Sequence, residues 1–116
     1  MLGGILLDIQ GLPQKVSCGE VFEAEITLFN LSESRMPRGF FGRQVALSYH
    51  IYDTKMKRII WNGLRTPLTE PVDYRYRGAL RIEAPPNPGV YRLQAGIVVE
   101  GQRWFESHQT WPFEAS

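Results

Sequence analysis

The side chains that could perform covalent chemistry are few in this sequence: one cysteine, two histidines and scattered acids. Cys18, His50 and His108 supply the residue types of a thiolate nucleophile and its base. Cys18, however, directly precedes Gly19 in a predicted turn, and no local signature surrounds it. We interpret it as a small, half-buried thiol and both histidines as exposed side chains. The sequence therefore predicts no nucleophilic active site.

Paired carboxylates are the second candidate for catalysis, because glycoside hydrolysis needs two acids held roughly 5–10 Å apart in a cleft. The pairs Glu23 and Glu25 or Asp53 and Asp73 fall on outward strand positions or in turns, which is typical of solubilising residues. The sequence also has no Cys or His pair at metal-ligand spacing and no calcium-loop pattern of alternating Asp and Asn. We therefore predict that the protein is not an enzyme and needs no metal or cofactor.

Aromatic side chains beside turns are the remaining candidates for a binding site, since carbohydrate sites place flat aromatic surfaces against sugar rings. Trp61, Arg65 and Trp104 lie next to the Asn62-Gly63 and Glu100-Gly101 turns, and loops carry function more often than core strands. We predict these three as ligand-binding residues. The alternative is that each tryptophan belongs to the core, because a tryptophan buries a large area. Further aromatic candidates are Tyr52, Tyr74 and Trp111, with Asn62 and Gln102 as polar neighbours.

The charge distribution argues against nucleic acid as the partner. The net charge is +1, so no overall field attracts a polyanion. Arg75, Arg77 and Arg81 lie on the opposite strand face from the neighbouring tyrosines, so phosphate contact and base stacking would not cooperate there. Residues 35–65 carry seven basic side chains and one acidic one, which hints at an anion-facing edge but is more typical of a solvated hairpin tip.

These candidate residues belong to a chain whose apolar side chains alternate with the period of a strand, and no window shows the period of a helix. Phe22, Ala24, Ile26 and Leu28, for example, share one face of a strand. Turns rich in glycine and proline separate such segments at intervals of roughly 8–12 residues. The predicted strands are Ile5–Ile9, Phe22–Leu28, Val45–Tyr52, Ile59–Trp61, Tyr74–Ala84, Tyr91–Val99 and Arg103–His108, and Trp111–Phe113 is predicted as a tail.

The pattern predicts one all-β domain over residues 1–116, an immunoglobulin-like antiparallel β-sandwich of seven to eight strands. Tyr91 follows the Pro88-Gly89 turn, which favours a tyrosine corner, in which the phenol bonds back to nearby backbone; the alternative is a simple core tyrosine. The predicted core consists of Phe22, Ile26, Leu28, Val45, Leu47, Tyr49, Ile51, Leu80, Ile82, Tyr91, Leu93, Ile97 and Val99.

The compartment is predicted from what the chain lacks. A lone cysteine allows no intrachain disulfide, which is compatible with a reducing cytoplasm. The first residues have no basic region, and Asp8 interrupts their apolar run, so we do not interpret them as a signal peptide. No apolar stretch approaches the roughly 20 residues of a membrane helix. We expect a soluble, cytoplasmic protein without membrane insertion.

A resemblance to a known family is carried by runs of residues in a fixed order over positions 45–105, about half of the chain. They are VALSYHIYD at 45–53, WNGLRTPL at 61–68, Ala84-Pro85 with PGVYRL at 88–93, VVEG at 98–101, and Trp104-Phe105. Together they resemble an immunoglobulin-like domain that is appended to bacterial glycosyltransferases and other proteins of surface-polysaccharide assembly.

The resemblance implies a non-catalytic accessory module of polysaccharide biosynthesis. Such a module would dock to or position a glycosyltransferase domain of the same or a neighbouring chain, or its glycan, and no catalytic residue is carried over. The alternative is a carbohydrate-binding module that uses exposed tryptophans directly. A concave aromatic surface would indicate the sugar-binding module, and a flat patch or an unpaired strand edge would indicate the docking module.

Overall fold

The computed structural model describes residues 5–30, 39–40, 43–68, 75–101 and 103–116, and these contain strands and no helix. The all-β class predicted from the sequence is confirmed. The strands are β1 (Ile5–Gln10), β2 (Lys15–Val16), β3 (Val21–Asn30), β4 (Gly39–Phe40), β5 (Arg43–Asp53), β6 (Arg58–Ile60), β7 (Thr66–Pro67), β8 (Arg75–Glu83), β9 (Gly89–Val99), β10 (Arg103–Glu106) and β11 (Trp111–Ala115).

The strands form two sheets, as predicted for a sandwich. The smaller sheet has the order β1-β3-β8, and the larger has the order β2-β11-β9-β5-β4. In the larger sheet, β6 and β7 both pair with β5, while β10 and β11 both pair with β9. The eleven described strand segments outnumber the predicted seven to eight because they include three strands of only two residues, β2, β4 and β7, and the C-terminal strand β11.

Alternation places the core between the two sheets. In β3, Ala24, Ile26 and Leu28 are buried, while Glu23 and Glu25 are exposed. Every predicted core residue is buried except Phe22, which is half-buried and packs against the core from its edge. The long pairing of β5 with β9 extends over nine positions, and every second position directs its side chains into this core.

Tyr91 forms the predicted tyrosine corner. Its phenol donates a hydrogen bond of 2.6 Å to the backbone carbonyl of Asn87, in the turn that leads into β9. The ring packs against Gly89, where an added Cβ would approach the phenol to 3.3 Å. Burial raises the pKa of this phenol above its ordinary value. The bond therefore links the turn to the start of β9, a long and largely buried strand.

Residues 111–113 were predicted as a tail, and this prediction is wrong, because they belong to β11, which pairs with β9. Pro112 is uncommon within a paired strand, since proline has no N–H to donate. The Glu114 N–H, two residues further, donates to Gln14 on the side away from β9. By alternation the Pro112 nitrogen faces the same way, so no bond to β9 is lost. The two-residue strand β2, which was also missed, pairs in parallel with the end of β11.

Candidate functional site

The three predicted site residues meet on the outward side of the β5–β9 pair, which we call the outer face. Directly paired residues of antiparallel strands point to the same side. Because Leu47, Tyr49 and Ile51 point inward, the intervening residues point outward. The outward positions are Ala46, Ser48, His50 and Tyr52 of β5, with Arg92, Gln94, Gly96 and Val98 of β9.

His50 lies in the middle of the outer face and is fully buried, with 0% exposure. Its ring is parallel to the Trp61 indole, with centroids 3.7 Å apart and an interplanar angle of 8°. The Trp104 indole lies 4.1 Å away at an angle of 35°. Two indoles at these distances cannot share one face of an imidazole, so the His50 ring lies between them. The prediction of an exposed His50 is wrong because neighbouring segments place tryptophans over it; His108 is exposed, as predicted.

Both ring nitrogens of His50 face oxygen atoms. Nδ1 is hydrogen-bonded with the backbone carbonyl of Trp61, and Nε2 lies 3.1 Å from Oε2 of Glu106. A neutral imidazole has only one N–H, so both bonds form together only when the ring or the Glu106 carboxyl carries an additional proton. Among the described residues, every buried side-chain nitrogen or oxygen has a hydrogen-bond partner. His50 therefore ties the segment after β6 to β10 through its ring edge.

Two arginines cap this aromatic stack. The Arg58 guanidinium lies 3.8 Å from the centroid of the Trp61 ring, and the Arg65 guanidinium lies 4.8 Å from that of Trp104. Since His50 already covers one face of Trp61, Arg58 must cover the other. Cations over indoles are attracted by the ring quadrupole. The resulting series of planar groups, which we call the arginine–aromatic ladder, runs in the order Arg58, Trp61, His50, Trp104 and Arg65.

Arg65 is the most firmly anchored member of the ladder. Its Nε donates to Oε2 of Glu100 at 3.1 Å, and its Nη1 donates both to Ser48 Oγ at 3.1 Å and to the Gly63 carbonyl at 3.0 Å. Ser48 in turn donates to the Leu64 carbonyl at 2.9 Å. These bonds use donors in several directions, so the guanidinium plane has one fixed orientation. Arg65 thus fastens the segment after Trp61 onto the outer face.

Two glycines allow close packing on opposite sides of the larger sheet. Gly63 packs against the inward-facing Tyr49 ring, where an added Cβ would be only 2.6 Å from ring carbons. Gly96 lies beneath Trp104 on the outer face, and its added Cβ would approach the indole to 3.2 Å. A side chain at Gly96 would push Trp104 away from His50, and one at Gly63 would displace the core ring of Tyr49. The glycines in these two positions therefore have a packing role.

A second group of hydrogen bonds closes the other end of the outer face. The Tyr52 phenol donates to Gln94 Oε1 at 2.7 Å, and the Gln94 amide donates to the Ser107 carbonyl at 2.8 Å. Burial and the nearby Glu106 carboxylate raise the pKa of the Tyr52 phenol, while Arg58 acts in the opposite direction. This group of bonds holds the chain between β10 and β11 against β9.

The structure therefore brings Trp61, Arg65 and Trp104 together, although they are distant in sequence. All three are half-buried, so neither tryptophan is a fully buried core residue. Sequence reasoning missed His50 and Arg58. The alternation of β5 already assigns His50 to the outward side, but no spacing in the sequence indicates which segments fold over it. Of the remaining predicted candidates, Asp73, Tyr74 and Gln102 lie outside the described residues.

Other kinds of site find no support in the described part of the chain. There, no group of three His, Cys, Asp or Glu side chains is arranged to hold a metal ion. Within the same ranges no helix has the length and apolar character needed to cross a membrane. Glu23 and Glu25 are exposed on the smaller sheet, and Cys18 is half-buried, both as predicted.

Fold and surface together define an immunoglobulin-like sandwich with one elaborated sheet face, and solved structures with the same fold confirm this class. The CARDB domain of a Pyrococcus furiosus protein superposes with a TM-score of 0.54 and 18% identity, over 97% of this chain and 94% of that domain. A β-glucosidase from Listeria innocua matches with a TM-score of 0.57 and 13% identity, over 96% of this chain and 16% of the enzyme. At these identities the likeness establishes the fold alone.

The alkylpurine DNA glycosylase AlkC of Pseudomonas fluorescens also matches, with a TM-score of 0.54 and 12% identity, over 97% of this chain and 30% of that protein. This chain thus spans about a sixth of the β-glucosidase and under a third of the glycosylase. No protein-family model matches the sequence, and no curated protein matches it.

Proposed function

We propose that this chain is a non-catalytic accessory module of bacterial surface-polysaccharide biosynthesis, and that its outer face docks onto a glycosyltransferase domain of the same or a neighbouring chain. Two observations support the proposal. The resemblance over residues 45–105 includes the segments that build the ladder, among them Trp61 to Arg65 and Trp104. The fold is one that also occurs as a small part of larger enzymes, as in the β-glucosidase.

The ladder is the observation that carries the docking role. Its members are Trp, His and Arg side chains whose rings and guanidinium planes contact one another at 3.7–4.8 Å. Trp, Tyr and Arg are the residue types that contribute most binding energy in protein interfaces. Side chains that are already locked in place lose little conformational entropy when a partner binds. A half-buried, pre-ordered surface of this composition suits a protein partner.

Direct sugar stacking is less well supported by this geometry. A pyranose needs an open aromatic face, whereas Trp61 has His50 on one face and Arg58 on the other. The carbohydrate-binding alternative requires an arginine to leave its indole before a sugar can bind. Hydrogen-bonding groups for a sugar are present at the edge of the ladder, such as Asn62 and Glu100, so a glycan remains the second candidate ligand.

The test is titration calorimetry with two kinds of ligand. The first is the glycosyltransferase domain from the same chain or gene neighbourhood, and the second is a panel of surface-polysaccharide fragments. We expect binding to the protein and a loss of roughly 30-fold in affinity for Trp61→Ala, since a hot-spot truncation costs about 2 kcal/mol or more. The control is Val21→Ala, which truncates an exposed side chain on the smaller sheet.

Circular dichroism must show that both variants keep the strand spectrum. Equal affinity of Trp61→Ala and the unaltered chain would refute docking through the outer face. Binding to glycan fragments alone, lost in Trp61→Ala, would instead establish the carbohydrate-binding function.

A further inference from the structure

One row of side chains on the outer face carries two positive charges. Tyr52 of β5 pairs directly with Arg58 of β6 on one side and with Arg92 of β9 on the other. Arg92 is directly opposite Tyr52 in a regular part of the ladder of hydrogen bonds, so both side chains point to the same side of the sheet. The β5–β6 pairing is irregular at Tyr52, and the position of Arg58 over Trp61 places its guanidinium on the same outer face. The two arginines therefore flank Tyr52. We call Arg58, Tyr52 and Arg92 the basic row.

The carboxylates nearest to the basic row already have partners. Glu106 is bonded to His50, and Glu100 is bonded to Arg65 at the far end of the ladder. Oδ1 of Asp53 accepts the backbone N–H groups of Lys55 and Lys57 in the adjoining turn. Each of these three carboxylates therefore has a partner other than Arg58 and Arg92.

The two arginines themselves have only neutral contacts. Among the described residues, no carboxylate forms an ion pair with Arg58 or Arg92. Arg92 donates through Nε to the neutral Thr110 hydroxyl at 2.8 Å, which orients its guanidinium. Arg58 is exposed and lies over Trp61, and Arg92 is half-buried. Guanidinium groups without a carboxylate partner suit the bidentate recognition of carboxylates.

We infer that the partner docked on the outer face presents an acidic peptide segment, whose Asp or Glu carboxylates bind Arg58 and Arg92 across the Tyr52 ring. This inference rests on the proposed docking function and adds the chemistry of the partner. The exposed Lys55 and Lys57 beside the row extend the positive surface toward the 54–57 turn. An acidic peptide fits better than an acidic glycan. The basic row offers carboxylate-binding groups, whereas the ladder offers no open indole face on which a sugar ring could stack.

The experiment is an NMR titration of the ¹⁵N-labelled full chain with hexaglutamate. Hexaglutamine serves as the neutral peptide control, and a galacturonic acid oligomer serves as the acidic glycan. We expect saturable shifts of the Tyr52, Arg58 and Arg92 amides with hexaglutamate only, weakening as salt rises. Arg92→Gln should weaken binding about threefold and the double Arg58→Gln, Arg92→Gln variant about tenfold. Arg77→Gln removes the same charge on the smaller sheet and should change nothing.

Each other result overturns the inference. Shifts of the basic row by the galacturonic acid oligomer but not by hexaglutamate would assign the row to an acidic glycan. No shift with either anion, or an equal effect of Arg77→Gln, would show that the row is not an anion site. If docking to the glycosyltransferase domain is lost in Trp61→Ala but unchanged in the double arginine variant, the proposed function stands and this inference fails.

Discussion

The two sheets of the sandwich have outward surfaces built from the same alternating pattern, yet these surfaces differ in structure. On the smaller sheet, Glu23, Glu25 and Arg77 extend into solvent and line a shallow open groove, with an ion pair between Arg77 and Glu25. On the larger sheet, His50 occupies an equivalent outward position and is fully buried. The difference arises because two segments, the residues after β6 and strand β10, each place a tryptophan over the larger sheet, and none of the described segments covers Glu23.

The comparison shows that an outward position in a strand is not by itself an exposed position. Whether a polar side chain at an outward position is exposed to solvent depends on the side chains that neighbouring segments place over it. Trp61 comes from the segment after β6, and Trp104 comes from β10, so both covering groups are contributed by segments beside β5 and β9. In this fold, the segments beside β5 and β9 add a second layer of side chains, Trp61 and Trp104, over the outer face of the sheet.

The largest expected effect on stability is that of removing the His50 ring from the middle of the ladder. His50→Ala should lower the free energy of unfolding by about 3 kcal/mol, because it leaves a gap between two indoles and removes the partner of Glu106. Glu23→Ala, at an outward position of the smaller sheet, should cost less than about 0.5 kcal/mol. Urea unfolding measures both changes. Equal costs for the two variants would contradict the distinction between the two faces.

Tyr91→Phe is expected to have the next largest effect. The change removes the hydrogen bond to Asn87 in a buried site and should cost on the order of 1–3 kcal/mol. Tyr52→Phe removes the bond to Gln94 at a half-buried position and should cost less, about 0.5–1 kcal/mol. A cost of only a few tenths of a kcal/mol for Tyr91→Phe would show that the phenol is merely packed.

A smaller contrast is expected between two arginines, one on each sheet. Arg65→Gln loses the ion pair with Glu100 and the bonds to Ser48 and Gly63, and should cost about 1 kcal/mol. Arg77→Gln loses one exposed ion pair, which should contribute about 0–0.5 kcal/mol. Thermal unfolding at low and at high salt compares them. A larger loss for Arg77→Gln would reverse the expected ranking.

The smallest effect is expected at alkaline pH. The pKa values of Tyr52 and Tyr91 are raised above 10.0 in the folded chain, so the folded state still holds protons that the unfolded state has released. Stability should therefore be unaffected below pH 10 and fall as the pH rises from about 10 through the folded-state values. The fall should be shallower in Tyr91→Phe. Stability that increases above pH 10 would contradict the direction of both shifts.

The alternation of apolar and polar residues allowed much of the fold to be predicted from the sequence. The candidate site could be predicted only in part. Strands β3, β5, β8 and β9 are long enough for period-two patterns to be read, and Tyr91 follows a recognisable turn. The two-residue strands β2, β4 and β7 are too short for any period, and β11 is a short strand interrupted by Pro112. Trp61 and Trp104 could be chosen as candidates from their turns. The burial of His50 between them depends on long-range packing that local sequence does not encode.

The most direct test of docking through the outer face uses the three tryptophans as reporters. Their indole N–H signals can be followed in a ¹⁵N-labelled chain as the glycosyltransferase domain is added. Trp61 and Trp104 belong to the ladder, whereas Trp111 lies in β11 and packs against the core. We expect the Trp61 and Trp104 signals to shift and saturate together while that of Trp111 stays in place. A shift confined to Trp111, or no shift of any indole on complex formation, would contradict docking through the ladder.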